Sequence, residues 1–132
     1  MGMLDDLGAY LDTNSSLTLG TDLFLGVLPE TPSNCVALFE NGGVSPDFTL
    51  GTNNLPILER PELQFIVRNS SYSTGNDLSD TIYRIFTQVA NQTINSVKYL
   101  RIQAISNPSV MDRDSNRRVL FTANFHVIRV TP

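Results

Sequence analysis

"VMDRDSNRRVLFTANFHVIRV", residues 110–130, is the stretch on which the fold turns. In its second half, Val119, Phe121, Ala123, Phe125 and Val127 fall on one side of an extended chain. Leu120, Thr122, Asn124, His126 and Ile128 fall on the other. Asp114–Asn116 supplies turn-forming residues, so the stretch predicts a hairpin that feeds a long final strand. A face with two phenylalanines must be covered by something apolar. The opposite face carries Asn124 and His126 and has no such need.

Working outward, "ELQFIVRN" (62–69) predicts a strand with Leu63, Phe65 and Val67 opposite Gln64, Ile66 and Arg68. "YLRIQAIS" (99–106) predicts another, with Leu100, Ile102 and Ala104 opposite Tyr99, Arg101 and Gln103. "DLFLGVLP" (22–29) and Cys35–Glu40 read as two shorter strands joined through the turn "TPSN". Gly42 and Gly43 supply the freedom in φ needed to leave the strand. The following residues, 42 to 61, have no clear period and read as a long connection. They carry Phe48, Leu50, Leu55, Ile57 and Leu58, too apolar for a disordered linker.

Two helices are available to cover the phenylalanine-bearing face. Met3, Leu4, Leu7, Tyr10 and Leu11 form one helical stripe, with Asp5 and Asp6 early, where the helix dipole favours negative charge. Leu78, Ile82, Ile85, Phe86 and Val89 form the second stripe, with Ser73 or Asn76 as its cap. The expected architecture is α+β: a mixed, mostly antiparallel β-sheet with two helices packed on one face. One domain is expected over 1–132, with a helix over 2–14 and the sheet and second helix over 22–131. The other sheet face, with Gln64, Arg68, Arg101, Gln103, Asn124 and His126, is either solvated or covered by a neighbour.

Composition narrows the function. Nine Lys and Arg against 13 Asp and Glu leave a net charge of −4, which disfavours wrapping a phosphate backbone. One cysteine forms no internal disulfide, and one histidine makes no metal set, so neither metal nor cofactor is expected. The first residues lack the pattern of a secretory signal, and no run is long enough to span a membrane. A soluble intracellular chain is expected.

Catalytic candidates weigh little. Cys35 sits in an apolar run and reads as packing, because a nucleophilic cysteine needs a base and an electropositive setting. His126 reads as a polar-face residue. Asp112, Arg113, Asp114, Arg117 and Arg118 interleave both signs of charge around a tight turn. That pattern suits either a solvated hairpin tip or a charged contact that sets register with a partner. No enzyme is expected.

"LPETPSNCVALFENGG", "ERPELQFIVRNSSY", the following helix and "MDRDSNRRVLFTANFHV" resemble, in that order, the minor capsid or tail-terminator-like proteins of tailed bacteriophages. The resemblance runs over about residues 24–130 and rests on Pro32, Cys35, Val36, Leu38, Phe39, Gly42, Gly43, Arg60, Pro61, Gln64, Arg68, Tyr72, Asp112, Asp114, Phe121 and Phe125. "VSPDFTLGTNNLPIL" (44–58) is longer than that pattern expects.

The resemblance implies a structural virion protein of the neck, assembled in the host cytoplasm. It implies a hexameric ring of identical chains that ends the tail tube and meets the head-tail connector or stopper, with DNA sliding through the lumen unbound. Phe48, Leu50, Leu55, Ile57, Leu58 and the Asp112–Arg118 hairpin are then the expected contact residues. A head-completion, stopper or tail-tube protein is the near alternative. A small-ligand-binding or enzymatic α+β domain is the distant one.

Overall fold

The computed structural model describes residues 2–47 and 57–132. The elements run α1 (Met3–Asn14), β1 (Leu23–Leu25), β2 (Cys35–Asp47), β3 (Leu58–Asn69), α2 (Tyr72–Thr87), β4 (Ala90–Ile94), β5 (Val97–Ala104), β6 (Ser109–Arg113) and β7 (Val119–Val130). The strands form one sheet in the order β1-β2-β3-β7-β5-β4, and β6 pairs with β7 beside β5. β1 joins β2 in parallel and every other ladder is antiparallel, so the sheet is mixed and mostly antiparallel. The fold is α+β, as the alternation in the strands predicts.

Strand β7 is the axis of the molecule. Burial alternates along it residue by residue, with Val119, Phe121, Ala123, Phe125 and Val127 inside. Phe125 sits in an aromatic cluster, its ring centroid 6.0 Å from Phe65, 5.7 Å from Phe86 and 6.1 Å from Tyr83. Such pairs add about 0.5–1.5 kcal/mol each beyond the area they bury. Ile82, Phe86 and Val89 bring α2 onto this face, and Met3, Leu7 and Leu11 bring α1. Helix α1 packs against β1 and β2 and also against β4. Those strands lie at opposite ends of the sheet order, so the sheet curls and α1 lies across the seam.

The structure departs from the sequence reading in four local ways. First, Ser71 caps α2, its hydroxyl accepting from the Thr74 N–H, rather than Ser73 or Asn76. An N-cap residue must stay outside helical geometry, and Ser71 is extended at φ −107° and ψ 126°.

Second, β2 does not end at the glycine pair. It continues to Asp47 through two register shifts, and Gly43 lies in the left-handed region at φ +66°. A Cβ there would sit 2.1 Å from the Arg60 carbonyl oxygen, so the glycine forms a bulge within the ladder. The described ends of the expected long connection, 42–47 and 58–61, therefore continue the β2–β3 ladder, with Pro61 at the irregular stretch where no regular ladder partner is needed.

Third, β4 lies between α2 and β5, where the sequence reading places no strand, and turns into β5 through Asn95 and Ser96, both at positive φ. Positive φ at both positions matches the tight turn that suits a two-residue hairpin. Fourth, a register shift between Tyr99 and Arg101 puts Tyr99 on the buried face with Ile102, although strict alternation opposes them.

Candidate interaction surface

Most of the predicted site residues fall within the described part of the chain. Phe48, Leu50 and Leu55 lie outside the described residues. Ile57 is 45% exposed at the far end of the β2–β3 ladder, beside half-buried Leu58. Asp112, Arg113 and Arg117 are exposed on β6 and the β6–β7 turn. Of the expected polar sheet face, Arg101 and Gln103 are exposed, and Gln64, Asn124 and His126 are half-buried.

Two arginines differ from expectation. Arg68 is buried at 3% exposure beneath residues 29–34. Its guanidinium donates to the carbonyls of Pro29, Pro32 (2.7 Å) and Ser33 (3.0 Å), and to Cys35 Sγ (3.3 Å). Carbonyl oxygens of an irregular segment need donors once they leave water, and one guanidinium supplies several in a fixed fork. Arg68 is thus an internal brace and not part of an open face.

Arg118 is buried too, at 6%. It pairs with Glu30 Oε1 and Asp114 Oδ2, each at 2.7 Å, and donates to the Glu30 carbonyl at 2.9 Å. Burial pushes the Asp114 carboxyl up. The Arg118 and Asn116 N–H groups and the Arg118 guanidinium outweigh that and hold it below the ordinary aspartate value. The turn and the 29–34 segment are one assembly, so its free contact groups are Asp112, Arg113 and Arg117. Spacing in the sequence does not disclose such partners, because the carbonyls lie some 35 to 90 positions away.

Cys35 is buried among these groups. Burial raises its thiol above the model-peptide value of 9.0, although Arg68 and Arg118 pull the other way. It therefore stays a protonated packing group. Among the described residues, no cluster of three or more His, Cys, Asp or Glu is placed to hold a metal ion.

A concavity of about 430 Å³ lies where β2 passes β3 and β7, between Glu40, Val44, Pro46, Glu59, Arg60 and Arg129. Sequence reasoning missed it because it forms around the bulge. Arg60 closes one side on Asp47 at 2.7 Å, and that hydrogen bond lowers the Asp47 carboxyl. Arg129 closes the other on Glu59 at 2.9 Å. Arg129 Nη1 also reaches the Tyr99 hydroxyl at 3.4 Å, which links the wall of the groove to the buried polar centre under α1.

Of the eight large apolar side chains exposed among the described residues, five stand at two margins on either side of the β3–β7 pair, and Leu19, Val27 and Tyr72 stand elsewhere. Val44 (52%) lines the groove and Ile57 (45%) stands at the end of the same ladder, while Ile105 (47%), Val110 (46%) and Met111 (53%) stand around β6. A small α+β sheet with no catalytic constellation among the described residues, one groove lined by both signs of charge and two unlike apolar margins has the make-up of an assembly component.

The sequence matches the family model described as bacteriophage tail terminator protein over residues 10–131. No curated protein matches the chain. The chain belongs to the bacteriophage tail terminator family, and it is a structural component of the virion tail.

Proposed function

We propose that the chain assembles into a closed ring, six-fold in line with the resemblance above, that ends the tail tube and offers the head-tail connector its docking surface. The observation that carries this reading is the pair of unlike apolar margins, Val44 with Ile57 on one side and Val110 with Met111 on the other. Unlike patches join copies head to tail, and such contacts close into a ring when the rotation permits. A two-fold dimer would instead use one patch against itself.

The low charge supports a lumen through which DNA slides. With 13 acidic against nine basic residues, the ring offers no net attraction to phosphates. On this reading Ile57 and Leu58, at the distal end of the ladder, meet the tube or the connector.

Adding the purified chain to purified tail tubes, viewed in negative stain, tests this. A single added layer at one tube end, after which tubes stop lengthening, is the expected picture. Continued stacking of this chain would make it a tube subunit. Bare tube ends with the chain bound to heads would make it a stopper.

A further inference from the structure

We propose that the subunit contact is made by β6 and the β6–β7 turn of one copy entering the groove between β2 and β3 of a second copy, with Arg113 and Arg117 facing Glu40. This rests on the ring reading and names the surfaces that close it.

The charges in the groove are unevenly satisfied. Arg60 is occupied by Asp47, and Arg129 by Glu59. Glu40 is exposed at the rim and forms no ion pair with any described residue. Residues 48–56 follow this ladder in the chain and carry no charged side chain, so they supply no cation for it. The groove therefore presents a net carboxylate.

At the other margin Glu30, Asp112 and Asp114 equal Arg113, Arg117 and Arg118 in number, but the pairing is uneven in the opposite sense. Asp114 is held by Arg118, which also takes Glu30, while Arg113 and Arg117 have exposed guanidinium groups in no ion pair with a described residue. The Asp112 carboxylate accepts from the Arg113 backbone N–H at 2.7 Å. Arg117 is exposed at the turn with φ 62°, and Arg118, buried and triply bonded, fixes the shape of the turn. The turn is thus braced before it meets a partner, which lowers the entropy lost on docking.

The apolar parts match in kind. Val110 and Met111 on β6 would meet Val44 and Pro46 in the groove, removing four exposed apolar side chains from water. Strand-to-strand addition along β2 is disfavoured, since two register shifts and Pro46 leave an irregular row of donors. Side-chain insertion is the mode that the margin allows. The two surfaces lie on opposite sides of the β3–β7 pair, so each copy can give one and receive the other.

Charge reversal in the full-length chain, read by native mass spectrometry, tests the contact. Arg113→Glu with Arg117→Glu, and separately Glu40→Arg, should each reduce the assembled fraction about tenfold or more. Combining all three should restore it to within about threefold of wild type. All three positions are exposed, and circular dichroism is expected to match wild type in every variant. A second readout is a Glu40→Cys, Arg113→Cys pair, which on oxidation should give a ladder of covalently linked copies. Rings that assemble normally in every variant would overturn this contact and leave the ring reading intact. So would a triple variant no better than its parents, or an absent ladder. A wild-type chain that stays monomeric would overturn both.

Discussion

The Tyr99 hydroxyl donates a 2.7 Å hydrogen bond to Asp6 Oδ2, joining β5 to helix α1 in the interior. Asp6 is 1% exposed, and its other oxygen accepts from Asn95 Nδ2 at 2.9 Å. Burial, and then the Asp6 hydrogen bond, push the Tyr99 phenol well above its usual value, so it remains a donor at any physiological pH. A carboxylate placed in the first turn for the helix dipole is thereby also the anchor of α1 over the seam of the curled sheet.

Tyr99→Phe leaves that buried carboxylate short of a donor. The expected loss is about 1–3 kcal/mol of folding stability, measured by urea unfolding. Asp6→Asn with Tyr99→Phe should cost less than the sum of the two single changes. Additive losses would mean that the two groups are not coupled.

Arg68→Ala removes the donors for three loop carbonyls and uncovers Cys35. The expected loss is about 1.5–3 kcal/mol or more, because buried carbonyls are left unpaired. Labelling of Cys35 by iodoacetamide, very slow in wild type, should become fast. Arg68→Lys should not restore protection, since an ammonium cannot span the same carbonyls as the planar fork. Equal labelling in wild type and variant would refute the brace.

The Asp114–Arg118 pair sets a pH dependence. The folded-state carboxyl lies below its unfolded value of 3.8, so its stabilising contribution is complete above that value. It is lost as pH falls through the lower, folded value. Asp47 behaves alike through its Arg60 bond. Stability should be flat between about pH 6 and 8 from these groups and should fall in acid. Asp114→Asn should flatten part of that fall. An unchanged acid limb would contradict the assignment.

Gly43→Ala forces a side chain into a backbone contact at positive φ. We expect about 1–3 kcal/mol of destabilisation, with hydrogen exchange increased in residues 41–47 and 58–62 more than in β5. If the bulge forms the groove as described, this variant should also assemble poorly while α2 stays protected.

The alternation in β7 made the central strand and its buried face readable, because its core side is apolar at every second position without interruption. Helix α2 was readable for the same reason at a period of 3.6. What escaped was everything settled by distant partners or by irregular backbone. β4 is polar and exposed over most of its length, so it has no apolar signature. Tyr99 changes face because of one extra residue, which alternation cannot register. Arg68 and Arg118 look like solvated charges until the 29–34 carbonyls fold over them. The groove at Glu40 depends on the bulge at Gly43, which reads in the sequence as a strand end.

Native mass spectrometry of the untagged wild-type chain, across the micromolar range, tests the central claim most directly. A closed species at six times the chain mass, persisting on dilution and not growing at higher concentration, is the predicted result. A chain that is monomeric throughout, or one that lengthens without limit into stacked species, would contradict it.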